Sequence, residues 1–348
     1  MRLRFVTGTP LDVRRGSGTY VGMAVLRRAL EALGHTVELE TPRLRLPVFT
    51  AQRLLFNRGL RPSDHDLTVG FDMDGYGIAG GPSHVAALKG VIADEVRFER
   101  GAARLTMSLQ ARCERLHAAR AARTICTSRY SAQRARELYG LRRLPAVVPE
   151  PIDLAEWRRA LAGLPPPAGP FTVLFVGRFY RRKRVDVLLR AAALLRRRVP
   201  HLAVRIVGNG PCHARWRALA RKLGLEGTVA WLGDVSRADL AREYAAASAF
   251  CLPSVQEGFG IVLLEAMAAG KPIVAARAAA IPEVAPHATL VEPESPEALA
   301  DGIGRLYESA VECRRQAAAG AAWVQQFDAA AVARAFLAAA QPLTEAGS

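Results

Sequence analysis

The run AFCLPSVQEGFGIVLLEAMAAGKPIV, residues 249–274, decides how the chain is read. It opens with a short apolar segment ending at Pro253, as a buried parallel strand does. A polar loop carrying Gly258 and Gly260 follows. An apolar helix is then expected over 261–269, stopped by Gly270 with Pro272 two residues on. Glu257 therefore falls in a loop at the carboxyl end of a strand, and Glu265 falls inside the helix. Eight residues of pure helix span about 12 Å, and a loop-to-helix path somewhat less. That reach suits an elongated polar ligand rather than a single bond. Gly258 and Gly260 let the backbone approach such a ligand. The first helical N–H groups, unpaired and at the positive end of the helix dipole, suit a phosphate. The stretch reads as one end of a nucleotide-sugar site.

Outward from this run, strands and helices alternate. In the second half, strands are expected at 171–177, 202–208, 228–232, 249–252, 273–276 and 289–291, with helices over 185–198 and 214–223. In the first half, a strand at 3–7 leads through a Gly-rich loop to a helix over about 20–33, closed by Gly34. Further apolar runs stand at 36–40, 66–70, 89–93, 123–127 and 146–148, with helices over 104–121 and 131–139. Between the halves, PEPIDLAEW and the cluster Pro165-Pro166-Pro167 read as a linker by composition. The expected class is α/β, with two Rossmann-like, doubly wound parallel-sheet domains facing across a cleft. The domains are expected at 1–150 and 171–325, with a linker at 151–170 and a C-terminal helix over 326–348 packing back on the first domain. No short internal repeat is evident.

Composition fits a folded chain of two ordinary domains: 348 residues, half of them apolar and 23% charged. No apolar run approaches the 18 or so residues of a membrane span. The opening MRLRFVTGTPLDVRRG has an apolar run too short for a signal peptide. The five cysteines are scattered and without CxxC spacing, which argues for a reducing compartment and against a zinc site. A cytoplasmic location is expected. The net charge of +16 is carried almost wholly by arginine, with lysine only at 89, 183, 222 and 271. Residues 1–150 hold 24 basic and 14 acidic residues, the rest 24 and 18. Such a first half suits an anionic membrane face, a polyanionic acceptor or simply a solvated arginine-rich surface; Arg112, Arg115, Arg120 and Arg123 fall in one segment of it. Without stacking aromatics among the basic helices, nucleic acid is disfavoured.

Several residues suggest chemistry. In VGRFYRRKR, Arg178 and Lys183 lie just past a strand, where a guanidinium and an ammonium suit a diphosphate. VGNGP (207–211) is a tight Gly-rich turn after the next strand. Asp72 and Asp74 in FDMDG have a D-x-D spacing that reads more readily as a strand end lining an acceptor cleft than as a metal site. Gly16, Gly18 and Gly22, with Glu38 about 20 residues on, sketch a dinucleotide fingerprint behind a loop too long for it.

The order VGR-x4-K, VGNGP, WLGDV (231–235), CLPS-x2-EGFG-x4-E, AGKPIVA and IPEV resembles the retaining glycosyltransferases of family 4, which have the GT-B fold. The likeness covers about 170–300. In the first half it extends loosely to the Gly-rich loop and GHTVEL (34–39). The resemblance implies that Glu257 and Glu265 are the two glutamates of an E-x7-E motif, the first on donor-sugar hydroxyls and the second on the ribose. It implies backbone contacts from Gly258, Phe259, Gly260 and Ile261, and diphosphate neutralisation by Arg178 and Lys183. Gly18 would face the phosphates from the first domain. The family's His-Asp pair at a first-domain strand end matches best at VIADE, with Ala93 in the histidine's place and Asp94 or Glu95 as its substitute. Arg184 and Ala280 stand where glycines are usual.

The implied reaction is retaining transfer of a hexose from a UDP- or GDP-linked donor to a hydroxyl of a glycan, lipid-linked or small-molecule acceptor. It needs no cofactor and no metal, and Glu257, Arg178 and Lys183 carry it. Asp72 and Asp94 are the acceptor-side candidates. Two further readings stay open: an NAD-dependent oxidoreductase, resting on Gly16 to Gly22, and a non-catalytic basic protein that binds membrane or nucleic acid.

Overall fold

A computed structural model of the chain describes residues 1–9, 18–43 and 46–341. It divides into two compact units, residues 1–151 with 329–348, and residues 152–328. Each is built on a six-stranded parallel sheet.

In the first unit the strands are β1 (Arg2–Val6), β2 (Thr36–Glu40), β3 (Leu67–Phe71), β4 (His84–Leu88), β5 (Arg123–Cys126) and β6 (Ala146–Val147), in the spatial order β2-β1-β3-β4-β5-β6. β3 and β4 are buried along their whole length, as strands covered on both faces must be. The core joins Phe5 and Phe71, in edge contact at 5.1 Å, to Met23 and Leu30 of the helix Gly18–Ala32 and to Val332 and Phe336 of the helix Ala329–Ala340. That last helix follows the whole second unit in sequence yet completes the core of the first.

The second unit contains β7 (Thr172–Val176), β8 (Ala203–Val207), β9 (Val229–Gly233), β10 (Ala249–Leu252), β11 (Ile273–Ala276) and β12 (Thr289–Val291), in the order β12-β11-β10-β7-β8-β9. The chain starts at the middle, builds outward through β8 and β9, then returns to lay β10 on the other side of β7. The strand order therefore reverses between β7 and β10. Carboxyl ends on either side of such a reversal diverge and leave a crevice, the usual ligand position in an open α/β sheet. The loops bearing Arg178 and Lys183 and the loop bearing Glu257 leave from this point.

Two sequence expectations are corrected. The strand placed at 89–93 lies instead at His84–Leu88, and residues 92–95 form a short helix. HVAALKGVIADE holds two apolar runs, and periodicity cannot choose between them. Residues within the presumed linker form the helix Leu154–Leu161, capped by Asp153 and anchored by a fully buried Trp157. Proline content before and after it masked an eight-residue amphipathic segment. The region 41–60 contains the helix Phe49–Gly59.

Candidate functional site

The loops after β7, β8 and β10 are stitched together by main-chain hydrogen bonds. Phe179 N–H donates to Asn209 O (2.9 Å), Cys212 N–H to Phe179 O (2.9 Å) and Val255 N–H to Arg182 O (2.9 Å). VGNGP owes its glycine at 208 to this packing. Gly208 has φ +117°, and a Cβ there would lie 2.1 Å from Gly177 O. The 3-10 turn Arg181–Lys183 then ends on Arg184 with φ +48°. This left-handed conformation explains why glycine is usual at that position; here arginine adopts it and pairs with Asp186 and Glu294. At the other departure, Ala280 is an ordinary right-handed residue and the positive φ falls on Ala279, at +49°.

This scaffold brings Lys183 onto Glu257. The ammonium donates to both carboxylate oxygens, at 2.6 and 2.7 Å, with both side chains largely buried. Arg178 Nη1 stands 3.6 Å from Asp234 of the loop after β9. Gly260 has φ +94° and opens the helix Ile261–Ala268, whose N-terminus has no side-chain cap. Phe259 is buried edge-on against Phe327 at 5.6 Å and so fixes the loop from behind. Next to Glu257, the Gln256 amide and Ser254 hydroxyl are buried without hydrogen-bond partners among the described residues. Buried polar groups of this kind are satisfied by water or by a hydroxyl-rich ligand.

Glu265 sits one helical stretch further in. It is buried, and its two oxygens accept from Arg237 Nη1 and from the Tyr244 hydroxyl, each at 3.1 Å. Burial pushes its carboxyl above the ordinary glutamate range, and Arg237 and Tyr244 hold it back. The Arg237 guanidinium in turn lies over Trp157, 4.2 Å from the ring centroid, and meets Glu156 at 3.3 Å. Arg237 and Tyr244 belong to no motif. The signals were an arginine four residues after β9 and an aromatic on the following helix, neither distinctive in an arginine-rich chain.

In the first unit the strand order reverses between β1 and β3. Here Asp74 is fully buried and tied to Arg53 (2.7 and 3.1 Å), Asn57 (2.9 Å) and the Gly8 N–H (2.6 Å). Asp72 has φ +53° and accepts from Lys89 N–H at 2.8 Å. Desolvation, with the charges of Asp74 and Glu95, pushes its carboxyl up to about 6 against the pull of Arg53 and the Lys89 N–H. Beneath it His117 meets Asp72 O at 2.6 Å and His84 at 2.8 Å. Burial pushes His84 down to about 3 and His117 down to about 4.

Asp94 is not presented at this edge. It is fully buried and engaged by Tyr130 (2.7 Å), Arg97 (2.9 Å) and Arg134 (3.2 Å). Because β4 ends at Leu88, the residue following it is Lys89, whose ammonium pairs with Glu150 at 2.9 Å; Ala93 lies in the short helix beyond. Gly18 is the first residue of the helix Gly18–Ala32, and Gly16 lies outside the described residues. Among the described residues no group of three or more His, Cys, Asp or Glu is arranged to hold a metal, and no helix is long and apolar enough to cross a membrane.

Residues 159–323 match the family model described as glycosyl transferases group 1. The segment is similar to a D-inositol 3-phosphate glycosyltransferase of Streptomyces griseus, 38% identical over 181 residues, covering 49% of this chain and 38% of that protein. It is also similar to the GDP-mannose-dependent alpha-(1-6)-phosphatidylinositol monomannoside mannosyltransferase of Mycobacterium tuberculosis, 34% identical over 163 residues, covering 44% of this chain and 42% of that one. Each match thus spans less than half of the relative's length. Solved structures match nearly end to end. Sucrose-phosphate synthase from Thermosynechococcus elongatus has a TM-score of 0.78 at 21% identity, covering 97% of this chain and 98% of that one. WaaG, a glycosyltransferase of lipopolysaccharide biosynthesis, gives 0.74 at 18%, covering 99% and 100%. Anabaena HepE in complex with UDP and glucose gives 0.70 at 20%, covering 97% and 98%. The fold is GT-B.

Proposed function

We propose that this chain is a retaining, metal-independent glycosyltransferase that moves a hexose from a UDP- or GDP-linked donor to a hydroxyl acceptor. The observation that carries the reading is the Lys183–Glu257 contact at the β7/β10 reversal, beside an uncapped helix N-terminus. The group 1 match across the second unit supports it, as do a GDP-mannose-dependent relative and the UDP bound in a neighbouring fold.

Breaking the anomeric C–O bond leaves negative charge on the departing diphosphate and positive charge on the sugar. Lys183, Arg178 and the amides of Gly258 to Ile261 meet the first charge, and Glu257 orients the sugar hydroxyls. Cations fixed where charge develops lower the barrier by more than they favour the bound substrate. The acceptor hydroxyl attacks from the face the phosphate leaves, and the phosphate takes its proton. Glu265 accepts from the ribose hydroxyls. The acceptor is a glycan, a lipid-linked polyol or a small-molecule alcohol, met by the first unit near Asp72.

Calorimetry with UDP, GDP and ADP tests the donor site. Tight binding of UDP or GDP is expected. Lys183→Ala loses a charge-assisted contact of about 1.5–3 kcal/mol, a roughly ten- to hundredfold loss of affinity, and Glu265→Ala loses a similar amount. Failure of all three nucleotides to bind the folded wild type removes the reading.

A further inference from the structure

Glu265 is held by side chains that no motif encodes. Its Oε1 accepts from Arg237 Nη1 and its Oε2 from the Tyr244 hydroxyl, each at 3.1 Å. An ionised carboxylate offers about four lone-pair positions. Among the described residues these two donors take two of them, which leaves one on each oxygen. A ribose carries two neighbouring hydroxyls, and each can donate to one oxygen.

A proton on Glu265 would remove this match. The Tyr244 hydroxyl has one proton and two acceptors in reach, Glu265 Oε2 and, at 3.2 Å, Val262 O. If Oε2 carries a proton it donates to the Tyr244 oxygen, and Tyr244 turns its own proton to Val262 O. That exchange makes Oε2 a donor, so the carboxyl can no longer accept from both hydroxyls. Burial favours the protonated form, and among the described residues Arg237 is the one charge that acts against it. From the helices packed against Ile261–Ala268, Arg237 and Tyr244 are the titratable groups that act on Glu265. Glu156 stands behind Arg237, and Ala310–Trp323 contributes none.

Arg237 is itself fixed by packing. It is the first residue of the helix Arg237–Ala246, which Ser236 caps. Its guanidinium rests over the fully buried Trp157 and meets Glu156 at 3.3 Å. Three residues earlier, Asp234 meets Arg178 at 3.6 Å. The loop after β9 therefore ties Arg178 at one end to Glu265 at the other. All of these residues belong to the second unit.

We infer that Arg237 is a positioning residue of the nucleotide site: it holds the Glu265 carboxylate ionised and in one orientation, as the acceptor of both ribose hydroxyls. The inference rests on the donor-site reading above. It adds that this chain selects a riboside through a charge outside the E-x7-E motif. An arginine already locked by packing presents its partner without reordering when the ligand binds.

Calorimetry with UDP and GDP, each beside its 2′,3′-dideoxy counterpart, tests it between about pH 5 and pH 8. The ratio of the two affinities isolates the ribose contacts, because base and diphosphate are common to both. In the wild type at the upper end of that range, the ratio is expected to favour the ribonucleotide by roughly ten- to hundredfold. It is expected to decline on acidification as Glu265 takes up a proton. In Arg237→Gln the decline is expected about one pH unit higher, while the dideoxy nucleotide binds as it does to the wild type. Arg237→Lys keeps the charge and is expected to move the decline back toward the wild-type course. Thermal melting at each pH checks that the variants are folded. A purely structural role would weaken both nucleotides alike. That result, or the same pH course in the wild type and Arg237→Gln, would overturn the inference while leaving the donor site in place. Failure of the wild type to bind any of the nucleotides would remove the donor-site reading and the inference with it.

Discussion

Arg237→Gln is expected to make stability depend on pH through one buried carboxylate. In the wild type, Arg237 Nη1 lies 3.1 Å from Glu265 Oε1, and the Tyr244 hydroxyl also donates to the carboxylate. At charge centres about 4 Å apart, the attraction is about 4 kcal/mol for an effective dielectric near 20. The Arg237 side chain is 36% exposed, and solvent screening reduces this to about 1–2 kcal/mol. That corresponds to about one pH unit on Glu265. Its carboxyl already titrates above the ordinary range because of burial, and removing the guanidinium raises it further. The sign follows from proton binding. A carboxyl whose folded-state pKa is raised destabilises the fold when ionised at high pH, and the penalty disappears below its unfolded-state pKa. The deficit of Arg237→Gln against wild type is therefore expected to be largest at pH 8 and about 1–2 kcal/mol smaller at pH 4. Loss of the contact with Trp157 adds a part that does not change with pH. Urea denaturation across that range provides the measurement. A deficit that is flat with pH, or that grows on acidification, would refute the electrostatic role assigned to Arg237.

Acid should also weaken the first unit. His84 and His117 are held neutral by burial, at about 3 and about 4, so stability is expected to fall as pH drops from about 6.5 toward 4. Histidine-resolved NMR would detect both rings staying neutral at pH 5. Gly70→Ala is expected to cost about 3 kcal/mol or more, because its Cβ would lie 2.1 Å from Asp74 O and 2.6 Å from the His117 ring; thermal melting reads this out. Arg184→Gly is expected to change stability by less than about 1 kcal/mol. It relieves a left-handed arginine but gives up the pairs with Asp186 and Glu294, and denaturant midpoints measure the balance.

The second unit was legible because each of its loops is compressed by a contact that leaves little choice of residue. Gly208 cannot carry a side chain against Gly177, and Gly260 turns the chain into a helix that must begin uncapped. Motifs of this kind place Arg178, Lys183, Glu257 and Glu265 without knowledge of the tertiary fold. The first unit lacks such constraints. Its edge residues, Asp72, Lys89 and Glu150, are brought together by packing among β3, β4 and β6, and nothing local in the sequence marks their proximity. The helix Phe49–Gly59 is illegible in the sequence for a sharper reason. Periodicity reports which face is apolar and assumes that face is inside, whereas Arg53 and Asn57 made the polar face the buried one.

The helix Ala329–Ala340 has a consequence for how the chain is made. Val332 and Phe336 close the core around Phe5 and Phe71, so the first unit remains incomplete until all of the second has left the ribosome. Domains usually fold in order of synthesis. Here the earlier unit must wait with an open apolar face while the later one, which needs only residues 152–328, can reach its native state first. The order of folding is therefore expected to be inverted with respect to the order of translation. A fragment ending at Pro151 would carry every strand of its sheet and still lack Val332 and Phe336 from the core it shares with Phe5 and Phe71.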